Sequence, residues 1–442
     1  MPDHTSTTPP SGNYAAFLAT KHRRVQSAGR VIDEADVHPL LHPWQRRIVS
    51  WAVRTGRCAM WEDTGLGKTF QQLEWGRLSG DRTLLIAPLA VCHQTVREAG
   101  RLAIKARYVR SDAEADSPGI WVTNYEMAFR FDPGGLDAVV LDEASILKQA
   151  DGKTRTALIR HFRDVKHRLA CTATPAPNDI EELTSQAEFL GVMPRTEMLA
   201  AYFIHDNDGW RVKGHARKPM FRWMASWAVA LRRPSDIGGD DTGYMLPPYD
   251  IHRHLLPVDA APEGQLFAAD LGGVGGRAAI RKATLRARCE RTAHLVAAEP
   301  AEPWIIWCGL NAEADLLARM IPGAVNVHGS MTPEEKAEAL LSFADQKIRI
   351  LISKPSICSF GMNWPHCARM AFCGLSDSWE AFYQAIRRCH RYGQNRRVQV
   401  HIVLSELEGR IAENVARKER QATEMTGELV REMQAAGELR MS

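Results

Sequence analysis

The stretch Arg57-Cys58-Ala59-Met60-Trp61-Glu62-Asp63-Thr64-Gly65-Leu66-Gly67-Lys68-Thr69-Phe70 decides the fold of this 442-residue chain. An apolar run, Cys58 to Trp61, leads into two glycines, a lysine and a threonine, and then into the helix-favouring segment Phe70 to Leu78. Strand, glycine loop and helix in that order make a phosphate cradle, because glycines let backbone N–H groups approach phosphate oxygens and the helix N-terminus adds partial positive charge. Gly65 and Gly67 give the close approach, Lys68 a point charge, and Thr69 a hydroxyl for Mg²⁺. The full G-x-x-x-x-G-K-T pattern is broken, since Glu62 stands where the first glycine belongs. A glycine turn that merely ends in Lys-Thr reads the same way, so a second signal is needed.

Ala138-Val139-Val140-Leu141-Asp142-Glu143 supplies it: a buried strand that ends in two carboxylates. Asp142 is expected to hold hydrated Mg²⁺, and Glu143 to orient and deprotonate the water that attacks a γ-phosphate. Alone, this stretch is also an acidic turn capping the next helix; beside Gly65 to Thr69 it reads as the other half of an ATP site. Phosphoryl transfer spreads negative charge over equatorial oxygens, so a cation from across a cleft is the next requirement. Gln384-Ala385-Ile386-Arg387-Arg388-Cys389-His390-Arg391-Tyr392-Gly393-Gln394 provides it, with Gln384, Arg388 and Arg391 on one face at helical spacing. A solvated basic helix face is the alternative for this segment by itself.

Outward from these stretches the chain has an α/β rhythm. Apolar runs at Thr83 to Ala87, Ile120 to Thr123, Ala138 to Leu141 and Arg168 to Thr172 predict buried parallel strands. A second set follows at Trp304 to Cys308, Ala324 to His328, Ile348 to Ser353, Arg369 to Cys373 and Val398 to Val403. The expected fold class is therefore α/β, with two similar lobes in tandem. Their parallel sheets are flanked by helices, and a small helical basic insertion lies between them. The boundaries read as a polar tail and short helix (Tyr14 to Ala19) over 1–37, a first lobe over 38–235 with the insertion at about 181–235, a second lobe over 236–410, and a charged helical tail over 411–442. Gly264 to Gly276 reads as a loop.

Composition narrows the classes further. With 45% hydrophobic and 24% charged residues the chain has ordinary globular composition. Its longest apolar stretches fall well short of the roughly 20 residues that span a bilayer, and the N-terminus lacks the basic run and apolar core of a secretory signal. Nine scattered cysteines without a C-x-x-C pair suit a reducing cytosol and read as buried thiols. A net charge of +4 is too mild to indicate nucleic-acid binding by itself.

The order of motifs resembles a superfamily two helicase of the DEAD/DEAH type, and within it the Swi/Snf-like ATPases. Pro43-Trp44-Gln45 resembles the entry motif whose glutamine reads adenine, which makes Gln45 a nucleotide contact, and Asp63 to Thr69 resembles the family's own form of the P-loop, which also lacks the first glycine. Ala87-Pro88-Leu89 and Thr123-Asn124-Tyr125-Glu126 resemble motifs that imply contacts to a nucleic-acid backbone, which assigns that role to Pro88 and Thr123. Thr172-Ala173-Thr174-Pro175 with Asn178 resembles the motif that couples nucleotide to nucleic acid, and Gly361-Met362-Asn363 the end of a strand-contacting one. Trp379 followed by Gln384, Arg388, His390, Arg391, Gly393 and Gln394 is similar to the family's sixth motif, which makes Arg388 and Arg391 arginine fingers and places Gln384 at the nucleotide. Ser145 stands where the family usually has histidine, and Ser353 to Phe360 lacks the family's glycine pair.

The resemblance implies two tandem RecA-like P-loop lobes, ATP and Mg²⁺ as cofactors, DNA bound through sequence-independent backbone contacts, and a helicase or translocase activity. An RNA helicase, an ATP-gated DNA clamp with weak hydrolysis and the motor subunit of a larger assembly remain alternatives. The compact size resembles helicases of bacteriophages and prophages, which implies a host-cytoplasmic location, with no membrane partner. Between His205 and Pro234, Arg211, Lys213, Arg217, Lys218, Arg222, Arg232 and Arg233 alternate with Trp210, Phe221, Trp223 and Trp227. Basic residues neutralise phosphates and aromatics stack bases, but Trp223 and Trp227, four apart, are also the packed face of a helix.

Overall fold

The computed structural model describes residues 25–148, 152–207, 209–257, 281–358, 363–376 and 378–436. The expected helix at Tyr14 to Ala19, the Gly264 to Gly276 loop and Gly361 lie outside them.

Each lobe is a parallel sheet clothed by helices. The first contains β1 (Arg57–Glu62), β2 (Arg82–Ala87), β3 (Ala106–Tyr108), β4 (Gly119–Asn124), β5 (Ala138–Asp142), β6 (His167–Cys171) and β9 (Ala228–Leu231), in the order β3-β4-β2-β5-β6-β1-β9. A small antiparallel hairpin joins β7 (Phe203–Asp206) to β8 (Gly209–Val212). The second sheet contains β10 (Tyr249–Leu256), β11 (Trp304–Cys308), β12 (Ala324–Val327), β13 (Ile350–Ser353), β14 (Arg369–Cys373) and β15 (Val398–Ser405), in the order β10-β15-β14-β11-β13-β12. Strands buried on both faces read as continuous apolar runs, and Ala138 to Leu141 are fully buried in β5. Parallel pairing brings the C-terminal ends of β1 and β5, with β6 between them, to one edge, where a ligand crevice of an open α/β sheet forms.

The 181–235 segment is not a helical insertion standing outside the sheet. Its last strand, β9, pairs with β1 in parallel, from Ala59 opposite Ala228 to Glu62 opposite Leu231. The helices Leu183–Leu190, Arg195–Tyr202 and Arg217–Met224 lead to it. Its aromatics are core: Trp227 is fully buried with its ring 5.5 Å from Trp61 and 5.3 Å from Trp223. Packing satisfies these rings, so Phe221, Trp223 and Trp227 offer no face to a base. Two of the basic residues are spoken for as well, because Arg217 pairs with Glu428 at 2.9 Å and Arg222 with Glu432 at 3.5 Å. The Arg217 guanidinium is thereby held by the C-terminal helix.

That helix, Gly409–Ala436, has 28 residues, about 40 Å at 1.5 Å per residue. Apolar residues recur three and four apart along one face. Ile411, Ala412 and Val415 enter the second lobe's core, whereas Met425, Leu429 and Met433 enter the first lobe's. The charged tail is therefore a strap across both lobes, assisted by Lys418 Nζ donating to Asn178 Oδ1 at 3.1 Å and Gln434 Nε2 to the Asp236 carbonyl at 2.9 Å. No described helix is long and apolar enough to cross a membrane. Leu429 is fully buried, so Leu429→Ala is expected to destabilise the first lobe by about 2–4 kcal/mol. Urea unfolding checks this, and an unchanged midpoint would mean that the helix does not pack there.

Candidate active site

The glycine loop is set by the end of β1 and by the helix Lys68–Ser79. Gly67, the residue before that helix, has φ +78°, and a Cβ there would meet Gln45 Nε2 at 2.5 Å, so conformation and contact both demand glycine. Lys68 Nζ donates to the carbonyls of Glu62 (2.7 Å) and Asp63 (3.0 Å), which holds the ammonium at the mouth of the loop. Gln45 is buried; its Nε2 donates to the Leu66 carbonyl at 2.8 Å and its Oε1 accepts from the His42 amide at 2.8 Å. The Gln45 amide, expected at adenine, is held against the glycine loop by these two backbone bonds.

Glu62, in the place of the first glycine, is fully buried and accepts from Gln71 Nε2 at 2.7 Å. Burial pushes its carboxyl up to about 7, only partly offset by the Lys68 charge.

Asp142 and Glu143 lie at the end of β5. Gln72 Nε2 donates to Asp142 Oδ1 at 2.7 Å, and the Tyr125 hydroxyl to the Asp142 carbonyl at 2.6 Å. Glu143 has φ +56°, a left-handed conformation that a non-glycine residue adopts at a cost of about 1–3 kcal/mol. Loss of solvent raises both carboxyls; Glu143 goes up to about 7, with the neighbouring Asp142 charge adding to the rise and Lys68 and Arg388 opposing it. The Thr172 hydroxyl donates to Glu143 Oε2 at 3.4 Å and accepts from the Thr174 amide at 3.1 Å.

These groups face the second lobe across one cavity of about 410 Å³. Gly65, Gly67, Lys68, Thr69, Asp142 and Glu143 line one wall; Asn363, Gln384, Arg388 and Arg391 line the other. Arg388 Nη2 donates to Gln384 Oε1 at 3.3 Å, and burial brings Arg391 down to about 10. The donor set fits Mg²⁺, since the Asp142 carboxylate and the Thr69 hydroxyl are hard oxygen ligands beside carboxyls that burial leaves short of positive charge.

Sequence reading missed several partners. Arg387 Nη2 donates to Asp63 Oδ2 at 2.8 Å, and the Tyr383 hydroxyl donates to Asp63 Oδ1, so the glycine loop is gripped by the second lobe. Arg387 and Asp63 stood inside the quoted motifs, but nothing local to either announces the other. Lys148 and Glu380 also pair across the lobes. Of the residues expected at a nucleic acid, Pro88 is half-buried beside the exposed Leu89, and Asn178 is bonded to Glu182 and Lys418. Thr123 is fully buried inside the sheet and presents nothing to a strand, which corrects that expectation. Asn363, expected on a strand, is exposed and lines the cavity.

The profile of the SNF2-related domain matches residues 44–202, and that of the helicase conserved C-terminal domain matches residues 288–393, together more than half of the chain. The chain belongs to the SNF2-related helicases. Nucleotide binding is a property of this Swi/Snf-like family. The chain is 28% identical over 156 residues to the DNA excision repair protein ERCC-6-like of Danio rerio, a match covering 29% of this chain and 10% of that protein. A solved structure, the SWI2/SNF2 ATPase core of Sulfolobus solfataricus in complex with dsDNA, is similar at 18% identity with a TM-score of 0.44, over 90% of this chain and 96% of that one.

In this SNF2-related chain the buried Glu62 makes stability depend on pH. A carboxyl raised on folding binds its proton more tightly in the folded state, so its contribution is intact below the unfolded value and is lost as pH rises towards 7. Glu62→Gln, which keeps shape and removes charge, should therefore be more stable than the parent at pH 8 by about 1–3 kcal/mol. The gain should shrink as pH falls towards 4.5. A gain independent of pH, read by chemical denaturation, would refute the assignment.

Proposed function

We propose that the protein is an ATP-dependent DNA translocase or helicase, in which hydrolysis between the two lobes drives movement along DNA. One observation carries the reading: Lys68, Thr69, Asp142 and Glu143 of the first lobe and Gln384, Arg388 and Arg391 of the second line the same cavity. Phosphate charge is bound from one side by Lys68 and the loop amides of Gly65 to Thr69 and from the other by the arginines, so ATP favours lobe closure. Glu143 accepts a proton from the attacking water, for which a deprotonated carboxylate held by Thr172 is suited. Asp142 and Thr69 would hold Mg²⁺, which would offset phosphate negative charge there. Arg388 and Arg391 balance the charge that develops on the equatorial oxygens. Loss of the γ-phosphate removes what holds the arginines to Lys68 and lets the lobes separate.

DNA is the proposed track, contacted without sequence readout through the surface near Pro88 and Leu89, at the start of the helix Leu89–Arg101, whose Val91, Gln94 and Glu98 line the cavity. The eight cysteines whose burial is described are all buried and free, which suits a reducing cytoplasm as the place of action.

Steady-state ATP hydrolysis with duplex DNA, single-stranded DNA and RNA tests the reading. DNA should stimulate turnover most. Lys68→Ala should abolish it, Glu143→Gln should abolish it while still binding ATP, and Arg388→Ala should lower it by about 10³-fold or more. Turnover retained in Glu143→Gln would remove Glu143 as the base, and stimulation by RNA alone would exchange the substrate.

A further inference from the structure

Between the glycine loop and the sixth motif the lobes meet at a second polar contact that the hydrolytic roles do not use. Glu380 lies in the first turn of the helix Trp379–Ile386 of the second lobe. Its Oε2 accepts from Lys148 Nζ, at the end of the short turn Ala144–Lys148 that follows Glu143, and its Oε1 accepts from Thr174 Oγ1 at 3.4 Å. Both contacts bridge more than 200 residues of sequence. The pair is sheltered, with side-chain exposures of 29% for Lys148 and 15% for Glu380, and separation of a sheltered pair is costlier than loss of a surface one.

From Thr174 the bonding continues inward. Its amide donates to Thr172 Oγ1, and a hydroxyl has one proton to give, so with the oxygen thus occupied Thr172 aims that proton at Glu143 Oε2. Thr172 and Thr174 are almost wholly buried and have little room to rotate away. The bonds at 3.4 Å are long, as hydrogen bonds around a catalytic group commonly are before substrate binds.

We propose that Glu380 is a positioning residue that couples lobe closure to the base, engaging Lys148 and Thr174 only when the lobes are together and so orienting Glu143 through Thr172. The inference rests on the assignment of Glu143 as base. Lobe opening withdraws Glu380 with its helix and releases Lys148, ahead of β6, and Thr174, after it. Hydrolysis is then confined to the closed form, which a motor requires if ATP is not to be spent without a step.

The test is a charge swap in the full chain. Lys148→Glu and Glu380→Lys singly should each lower kcat for DNA-stimulated hydrolysis by about 10- to 100-fold with little change in the KM for ATP. The double variant should recover most of the loss. Glu380→Gln, nearly isosteric, guards against misfolding and should lower kcat in the same sense. A double variant no better than the worse single, or a loss that lies in KM alone, overturns the proposal. Hydrogen exchange reads the contact without turnover: Glu380→Gln should speed exchange in both Ala144–Lys148 and Trp379–Ile386, in different lobes, and the swap should restore protection. Unchanged exchange at Ala144–Lys148 overturns the latch whether or not the protein hydrolyses ATP, whereas an inactive parent with the expected exchange pattern overturns the ATPase reading and leaves the latch standing.

Discussion

Asp142 and Glu143 are adjacent carboxylates at the end of a buried strand, where burial raises both and the Asp142 charge adds to the rise of Glu143, to about 7. Keeping them charged there requires positive charge from several directions. Lys68 comes from the helix after the glycine loop, Arg388 from the other lobe, and the oxygen donors leave room for a divalent cation. The parallel order of the first sheet answers the same need, because it brings the ends of β1 and β5 to one edge, close enough for one phosphate chain to span.

Since part of that charge belongs to the second lobe, the site is complete only when the lobes meet. Arg387 on Asp63 grips the loop that holds phosphate, and Glu380 on Lys148 and Thr174 reaches the residues behind the base. The C-terminal helix ties the lobes in another way, since residues near its start enter one hydrophobic core and residues near its end the other.

Much of the fold was legible because a buried parallel strand leaves a plain mark, as at Ala138 to Leu141 and Trp304 to Cys308. β9 was hidden, since Ala228 to Leu231 follows a Trp-rich basic stretch that reads equally well as a binding surface. Only its pairing with β1 gives Trp223 and Trp227 a core to enter. The C-terminal helix was legible as a helix, but its packing on both lobes was not, for a related reason. Its apolar stripe is diluted by charge, and nothing local says that Leu429 packs on the lobe at the far end of the chain. Thr123 shows the limit of a motif, which specifies residue type and position but not which way a side chain faces once its neighbours have packed.

By itself the sequence determined the features whose physics is local. Gly67 adopts a positive φ because it lacks a Cβ, Lys68 and Thr69 follow it at the start of a helix, and two carboxylates end an apolar strand. Each depends on a few neighbouring residues. Tertiary structure decided what depends on distant ones: that Arg387 meets Asp63, that Glu380 meets Lys148, and that Arg217 is held by Glu428 rather than left for phosphate. Such pairs form because burial of the two cores fixes where the lobes lie, and the charged groups then take the partners that this packing brings within reach.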